Sequence, residues 1–509
     1  MKYFSLTLFL SCIIIAQHFQ DILPQSLNVD ESMSRQTIVL PLIDVPALIE
    51  EDEQLSHIKK KRFGYQHELN HNILDNAYIT NHDDYDIYLI QYFSYDAYAL
   101  RAMFEPFYLP EGVNLYFYNN DMTQLEGAYT SINNNHANFF SSPLVEGERL
   151  IIELNVPRGV DKDEIDLNLS ILIHDYVGLQ NIINNYQSTR QCGINVMCDE
   201  ASPYEDQINA AAHIDMGGYI CSGAMINNVN QDLTPYFLTA DHCTDGNNPQ
   251  GYRFYFNYYL SGCLNGTLIQ GPYAYSSIMR STCDCVGPAE NNIAGPDFSL
   301  LEITDEITDS WNVFYAGWNA TNPNQMPLSV GVHHPGGDPK KINFDSGYAT
   351  SSYWDAPEYH THWYFSWDEG RTEGGSSGSP VYDNLGRIAG MLTGGFGDCD
   401  EENGTEFYGK MSRAWEWGES PSRQLKAWLD PEDTGTLLLD GTYEIFSEYT
   451  LGDVNNDTNI NIQDIILLIN FITGSLAPVY PQDAAADMNV DGLVNIQDII
   501  LIVSYIVNN

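Results

Sequence analysis

From Asp84 onward the chain alternates. Tyr85, Ile87, Leu89, Gln91 and Phe93 fall on every second position, and aromatic residues are dense. Val113-Asn114-Leu115-Tyr116-Phe117-Tyr118 and Leu150-Ile151-Ile152-Glu153-Leu154 have the same character. Such runs predict strands. Pro110-Glu111-Gly112 and Glu146-Gly147 are turn signals between them. The pattern therefore predicts a small antiparallel β domain. The stretch before it, to about His82, is polar and charged. Its basic run Lys59-Lys60-Lys61-Arg62 reads as solvated and protease-sensitive. Further along, strand patterns surround Cys221 and cover Tyr236-Phe237-Leu238-Thr239 and Phe298-Ser299-Leu300-Leu301. Near the C-terminus the pattern becomes helical, over Ile465 to Ile472 and Ile499 to Val507.

The first residues read differently. Lys2 precedes an apolar run from Tyr3 to Ala16, the shape of a secretory signal cleaved near Ala16 or Gln17. The run is short for a membrane span, and no later segment approaches the needed length. Cys12 lies within it and is expected to be removed. A chain of 509 residues with 43% hydrophobic and 18% charged residues has room for two to four folded domains. The formal charge of −48 argues against nucleic acid as a partner, because nothing would neutralise phosphates. It favours solubility, calcium and cationic substrates, and it equally suits a salty medium.

The remaining eight cysteines are Cys192, Cys198, Cys221, Cys243, Cys263, Cys283, Cys285 and Cys399. An even number confined to one region of a secreted chain implies disulfides, with metal thiolates as the alternative. Together these features divide the chain into a signal (1–17), a β-rich prodomain (18–190), a disulfide-linked domain (191–446) and a C-terminal module (447–509). An attached binding module is the other reading of residues 18–190.

The disulfide-linked domain carries three candidate reactive groups. Ser377 lies in Gly374-Gly375-Ser376-Ser377-Gly378-Ser379-Pro380. Such a turn can lift a hydroxyl clear of the backbone and point amides into one pocket. A serine also needs a base and an acid to orient that base. His242 ends the apolar strand Tyr236-Phe237-Leu238-Thr239-Ala240, beside Cys243. Asp297 stands at the mouth of another strand. The order His, Asp, Ser matches the chymotrypsin-type arrangement, unlike two other known orders. Asp241 adjoins His242, but adjacency does not aim a carboxylate at the ring.

The region from Cys192 to about Tyr443 resembles the bacterial lysyl endopeptidases. The resemblance is carried by the His242 and Asp297 stretches, Ala316-Gly317-Trp318, His333-His334-Pro335, Gly375–Pro380 and Trp428-Leu429-Asp430-Pro431. It implies a mainly β fold with a chymotrypsin-like double β-barrel. It also implies Ser377 as nucleophile, His242 as general base and acid, Asp297 as its orienting acid, and the Gly375 and Ser377 amides as oxyanion donors. Where the family has a specificity aspartate before Tyr-Gly, this chain has Glu406 in Thr405-Glu406-Phe407-Tyr408-Gly409. That substitution keeps the acid and implies cleavage after lysine or arginine. Trp354, Thr393 and Gly394 fall at substrate-binding positions. Thr393 replaces a family histidine, so the family's aromatic–histidine support is not carried over. The family disulfides imply Cys192–Cys399, Cys198–Cys263 and Cys221–Cys243, leaving Cys283 and Cys285 as a small ring or as thiols. His333 and His334 read as structural rather than metal-binding. Ser376 cannot capture a freed N-terminal amine as an aspartate would, so maturation is expected to remove the prodomain, with Arg190 as the natural cut.

The C-terminal module repeats itself. Asp453, Asn455, Asp457, Asn459, Asn461 and Asp464 recur 34 residues later as Asp487, Asn489, Asp491, Leu493, Asn495 and Asp498. Oxygen side chains at positions 1, 3, 5, 9 and 12 have the spacing of an EF-hand calcium loop, with backbone carbonyls of Asn459 and Leu493 completing the set. No entering helix is apparent. The pair resembles a dockerin, a small α-helical calcium-binding domain that binds a cohesin. The expected whole is a secreted serine endopeptidase acting on protein and peptide substrates after basic residues, preferentially lysine and otherwise arginine, needing no cofactor for catalysis. Its tail would attach it to a cohesin or cell-surface scaffold. The alternative is an inactive protease-like adhesion or scaffold protein.

Overall fold

The computed structural model describes residues 23–28, 34–58, 60–179, 193–244, 249–264, 266–287, 292–397, 404–443, 450–455, 459–473, 485–489 and 494–508. Residues 1–229 and 234–441 fall in one compact unit, and residues 230–233 and 442–509 in a second.

In the first unit, alternating segments from the N-terminal part make two sheets. One runs Gln36–Val39, Tyr85–Phe93, Arg149–Pro157, Asn114–Tyr118, Leu125–Tyr129, with Tyr78–Asn81 also on Tyr85–Phe93. The other runs Val145–Glu146, Ala99–Tyr108, Asp166–Asp175, Gly64–Asn72, with Phe140–Ser141 on Ala99–Tyr108. One core joins their facing residues, including Ile90, Tyr92, Phe104, Phe117, Ile152 and Leu169. The other face of the first sheet is covered too, around Ile87, Leu89, Tyr116 and Ile151. That explains why Tyr85–Phe93 is buried at nearly every position although its sequence alternates.

The polar stretch before His82 is ordered, against the reading of a solvated segment. It contains the Val45–Gln54 helix and the strands Lys61–Arg62 and Gly64–Asn72. Lys61 and Arg62 pair antiparallel with Ile220 and Tyr219. Their backbone groups are satisfied by another sheet, a partnership that local polarity does not reveal.

The remainder of this unit holds two β structures. The first sheet runs Tyr273–Tyr275, Arg253–Tyr255, Ala211–Asp215, Tyr219–Met225, Tyr236–Thr239, Ser299–Ile303, Ser277–Thr282. In the second, Gln325–His333, Tyr348–Ser352, His362–Phe365, Glu406–Lys410, Ile388–Gly395 and Pro380–Asp383 pair in succession, and the last returns to the first. Six strands thus close a barrel, around Trp363, Val381, Leu392 and Tyr408. The N-terminal sandwich meets the first of these sheets through a shared cluster of Phe63, Met103, Ile173 and Ile220. Beside it Arg101 and Asp215 form a buried ion pair at 2.6 Å.

The second unit contains helices Ile462–Ile472 and Ile496–Asn508. Val454, Leu468, Ala486 and Ile502 form its core.

Candidate active site

His242 belongs to a one-turn helix, Asp241–Thr244, at the end of Tyr236–Thr239. That strand pairs with Ser299–Ile303, Thr239 opposite Ser299, which brings Asp297 beside the histidine. Asp297 itself takes a left-handed backbone, φ 50°, uncommon outside glycine but tolerated by aspartate. One carboxylate oxygen accepts from the His242 amide at 3.0 Å, and the other meets His242 Nδ1 at 2.8 Å. The Cys221–Cys243 disulfide ties the same turn to Tyr219–Met225. Asp241 points elsewhere, to Thr282 and the Cys285 amide.

Ser377 comes from the turn before Pro380–Asp383. Gly378 has φ 76°, and a Cβ there would lie 2.1 Å from Thr239 Oγ1 and 2.5 Å from the Ser222 carbonyl. Only glycine lets the turn press against the strand that leads to His242. Ser377 Oγ then lies 2.7 Å from His242 Nε2. All three side chains are buried. Burial alone would raise the Asp297 carboxyl. The adjoining His242, by charge and hydrogen bonds, and the Thr393 hydroxyl hold it below the ordinary carboxylate value.

Thr393, which falls at a substrate-binding position in the sequence, uses its side chain within the protein. Besides bonding Asp297, its hydroxyl meets His362 Nε2 at 3.0 Å. His362 is a supporting residue that sequence reading missed, because a buried histidine 31 positions before Thr393 carries no local signal. Ser376 is held by His333, Oγ to Nδ1 at 2.7 Å. His333 and His334 sit among protein groups, His334 Nδ1 against the Asp338 carbonyl.

Glu406 is fully buried rather than a solvated loop residue. Its strand lies between His362–Phe365 and Ile388–Gly395, and Thr372 Oγ1 donates to Oε1 at 2.7 Å. A Cβ on Gly395 would lie 2.1 Å from Oε2, so the glycine leaves the carboxylate its space. Gly394 and Trp354 line the neighbouring wall. There the ring of His57 stacks on Trp354 at 6.1 Å and on Phe396 at 6.5 Å between centroids.

His57 belongs to the N-terminal region, in the short turn Ser56–Ile58. The next residue brings its backbone to the serine: Ser377 Oγ donates to the Ile58 carbonyl oxygen at 2.6 Å. Among the described residues, no bond runs from the Gly375 or Ser377 amide to that oxygen. The chain then continues past Gly374, where a Cβ would lie 3.5 Å from Lys61 Cβ and 3.6 Å from the Lys60 carbonyl. A strap of the chain's own N-terminal region thus fills the cleft.

Two further disulfides join Cys198 to Cys263 and Cys283 to Cys285. All described cysteines are therefore paired, which leaves none of them as a metal thiolate. Cys192, Cys399 and Arg190 lie outside the described residues.

In the second unit, Asp464 accepts from the amides of Asn455 at 3.1 Å and Asn461 at 2.8 Å. Asp498 accepts from the Asn495 amide at 2.8 Å. Asp453, Asp464 and Asp498 are buried. The second oxygen of Asp498 has no partner among the described residues. A buried carboxylate oxygen in that state is costly unless a cation meets it, so these donors fit calcium. Asn459, Asp487 and Asn489 are described on the same loops. Asp457, Asp491 and Leu493 lie outside the described residues.

A serine, histidine and aspartate linked in this order, beside a closed six-stranded barrel, is the arrangement of the chymotrypsin-type serine proteases. Comparison with known proteins adds the family. Residues 186–409 match the lysyl endopeptidase C-terminal domain, residues 89–175 its N-terminal domain, and residues 451–507 the dockerin type I domain. The chain therefore carries both lysyl endopeptidase domains followed by a dockerin type I domain. A lysyl endopeptidase of Pseudomonas aeruginosa is 27% identical over 301 residues, covering 56% of this chain and 62% of that protein. Similar solved structures include a Glu endopeptidase, 19% identical over 43% of this chain and 91% of that one, with TM-score 0.30. Another is the protease Anisep from Arthrobacter nicotinovorans, 18% identical over 40% and 90% of the two chains, with TM-score 0.29.

Proposed function

We propose that this protein is a secreted serine endopeptidase that cleaves after lysine or arginine and is made as a precursor. The observation that carries the reading is the continuous line from Asp297 through His242 to Ser377. Ser377 Oγ attacks the carbonyl carbon of the substrate while His242 Nε2 takes its proton. That proton passes to the departing amine as the peptide bond breaks, and water then releases the acyl group by the same path in reverse. Asp297 keeps Nδ1–H in place and stabilises the imidazolium. The Gly375 and Ser377 amides receive the oxyanion.

Glu406 supports the basic preference. A buried carboxylate facing a substrate ammonium or guanidinium contributes roughly 2–5 kcal/mol. The strap at Ile58 supports the precursor reading. A hydroxyl has one proton, and the one that Ser377 gives to the Ile58 carbonyl is not available to His242. Removal of residues 18–190, with a cut after Arg190, opens the cleft; residues 191–446 then form the protease domain. Residues 447–509 bind two calcium ions through the loop residues named above and attach the enzyme, outside the cell, to a cohesin on a scaffold or cell surface. Ile462 and Ile466 on one helix and Ile496 and Ile500 on the other are exposed at matching positions, an apolar surface suited to such a partner.

The test is hydrolysis of lysyl, arginyl and glutamyl substrates by processed protein, with Ser377→Ala as control. Equal turnover by the control removes the serine mechanism. Preference for glutamyl substrates removes the basic specificity.

A further inference from the structure

We propose that Tyr219 forms a second recognition site for a cation, two residues beyond the cleaved bond, so that substrates carrying a basic residue there are favoured. This rests on the protease reading above and adds a position on the other side of the bond from Glu406.

The strap supplies the register. Its Ile58 carbonyl meets the nucleophile, so residue 58 occupies the place of the residue whose acyl group is transferred. His57, one position earlier, lies against Trp354 and Phe396. Residues after 58 lie on the side of the departing amine. Lys61 and Arg62 pair there with Ile220 and Tyr219, as an added edge strand. Within that segment Lys60, second after Ile58, places its ammonium over the Tyr219 ring, 4.4 Å from the centroid. That is the distance of a cation held by an aromatic face.

The ring is rigidly placed relative to the reacting atoms. Tyr219 opens the strand that continues through Cys221, whose disulfide holds the turn of His242. The next residue on that strand, Ser222, donates from Oγ to the Gly375 carbonyl at 2.9 Å. A substrate strand laid where the strap lies therefore brings its second departing-side residue to this ring. A formal charge of −48 on the chain adds a field that favours cations.

The strap itself holds an aliphatic residue at the acyl position and a lysine at the ring. It thus fills the Tyr219 site with a cation, as a substrate carrying a basic residue there would.

The experiment uses processed enzyme and three internally quenched peptides with lysine at the cleaved bond. They differ only at the second residue after it: lysine, norleucine or glutamate. A lysyl anilide, which has no residue at that place, reports on the acyl side alone. Lysine is expected to exceed norleucine in kcat/KM by about three-fold, with glutamate lowest. In Tyr219→Leu the lysine-to-norleucine ratio is expected to fall to near one. Equal rates for the three peptides in the wild type, alongside anilide hydrolysis, overturn the Tyr219 site and leave the protease reading standing. An unchanged ratio in Tyr219→Leu overturns it as well. Hydrolysis of neither anilide nor peptides overturns both. If Tyr219→Leu does not fold, the wild-type ranking of lysine against the uncharged, one-atom-shorter norleucine decides.

Discussion

The carbonyl oxygen of Ile58 and the hydroxyl of Ser377 lie 2.6 Å apart although 319 positions separate them in the chain. One comes from the N-terminal region and the other from the nucleophile turn. On the precursor reading proposed above, the contact would keep the serine from other chains until the N-terminal region is removed.

Replacing Ile58 by lysine offers Glu406 a cation at the residue already seated against the serine. Full-length Ile58→Lys is expected to cut itself after residue 58, giving a new N-terminus at residue 59 by N-terminal sequencing. The double variant with Ser377→Ala should stay intact. An Ile58→Lys precursor that persists as long as the wild type argues that the strap is not held in a substrate-like register.

Asp297→Asn keeps the shape of the side chain but disturbs the tautomer that His242 needs. Turnover is expected to fall about 10⁴-fold with little change in KM. Thr393→Val removes a hydrogen bond to a charged group and should cost turnover about ten-fold. It should also move the acid limb of the pH profile upward, because the Asp297 carboxyl loses one of the groups that lower it. An unmoved profile would leave Thr393 with a packing role only.

Glu406→Gln removes the charge and keeps the volume. For a lysyl anilide, kcat/KM is expected to fall by about two to three orders of magnitude, and an uncharged norleucyl analogue should gain relative to lysine. Retention of the lysyl preference would place the cation elsewhere than Glu406.

Acid should unfold the main body early. Burial pushes His213, His333 and His362 each down to about 4. Once unfolded, they take up protons below the ordinary histidine value of about 6.5. In that window the unfolded state binds more protons, so stability rises with pH. It should be complete above about 6.5 and decline as pH falls toward 4. Asp297, whose carboxyl is lowered, adds a loss at still lower pH. Thermal melts of full-length Ser377→Ala across this range test it, and a melting temperature that stays level from about pH 7 to 4.5 would contradict the account.

Chelation bears on the tail. With EDTA, the helices Ile462–Ile472 and Ile496–Asn508 should lose helical signal, recovered by added calcium. Asp498→Ala should weaken the second loop selectively, because its carboxylate is buried with one oxygen lacking a protein partner. Helicity indifferent to EDTA would remove the ion from the loops.

Much of the site is legible in the sequence. Glycines around Ser377, a histidine closing an apolar strand and an aspartate opening another are local signals, and their order narrowed the arrangement. The paired acidic loops announced themselves by repetition. The N-terminal stretch departs from its sequence reading for a physical reason: Lys61 and Arg62 look solvated because their own side chains are charged, yet their backbones pair with Ile220 and Tyr219, 159 and 157 positions away. The sequence puts Thr393 at a substrate-binding position but does not show that its hydroxyl meets His362.

What the sequence by itself determined was the chemistry available: a hydroxyl in a glycine turn, one imidazole, one carboxylate, an acid at Glu406 and two loops of oxygen ligands. These depend on residue type and short spacing. Only the tertiary structure decided that the N-terminal region passes through the cleft, that His362 supports Thr393, and that Tyr219 faces a lysine beyond the reactive serine. Those are meetings of distant segments, set by the strand pairing and close packing of the whole fold. Ile58 and Ser377 carry no mark of each other in the chain, and only the folded molecule brings them together.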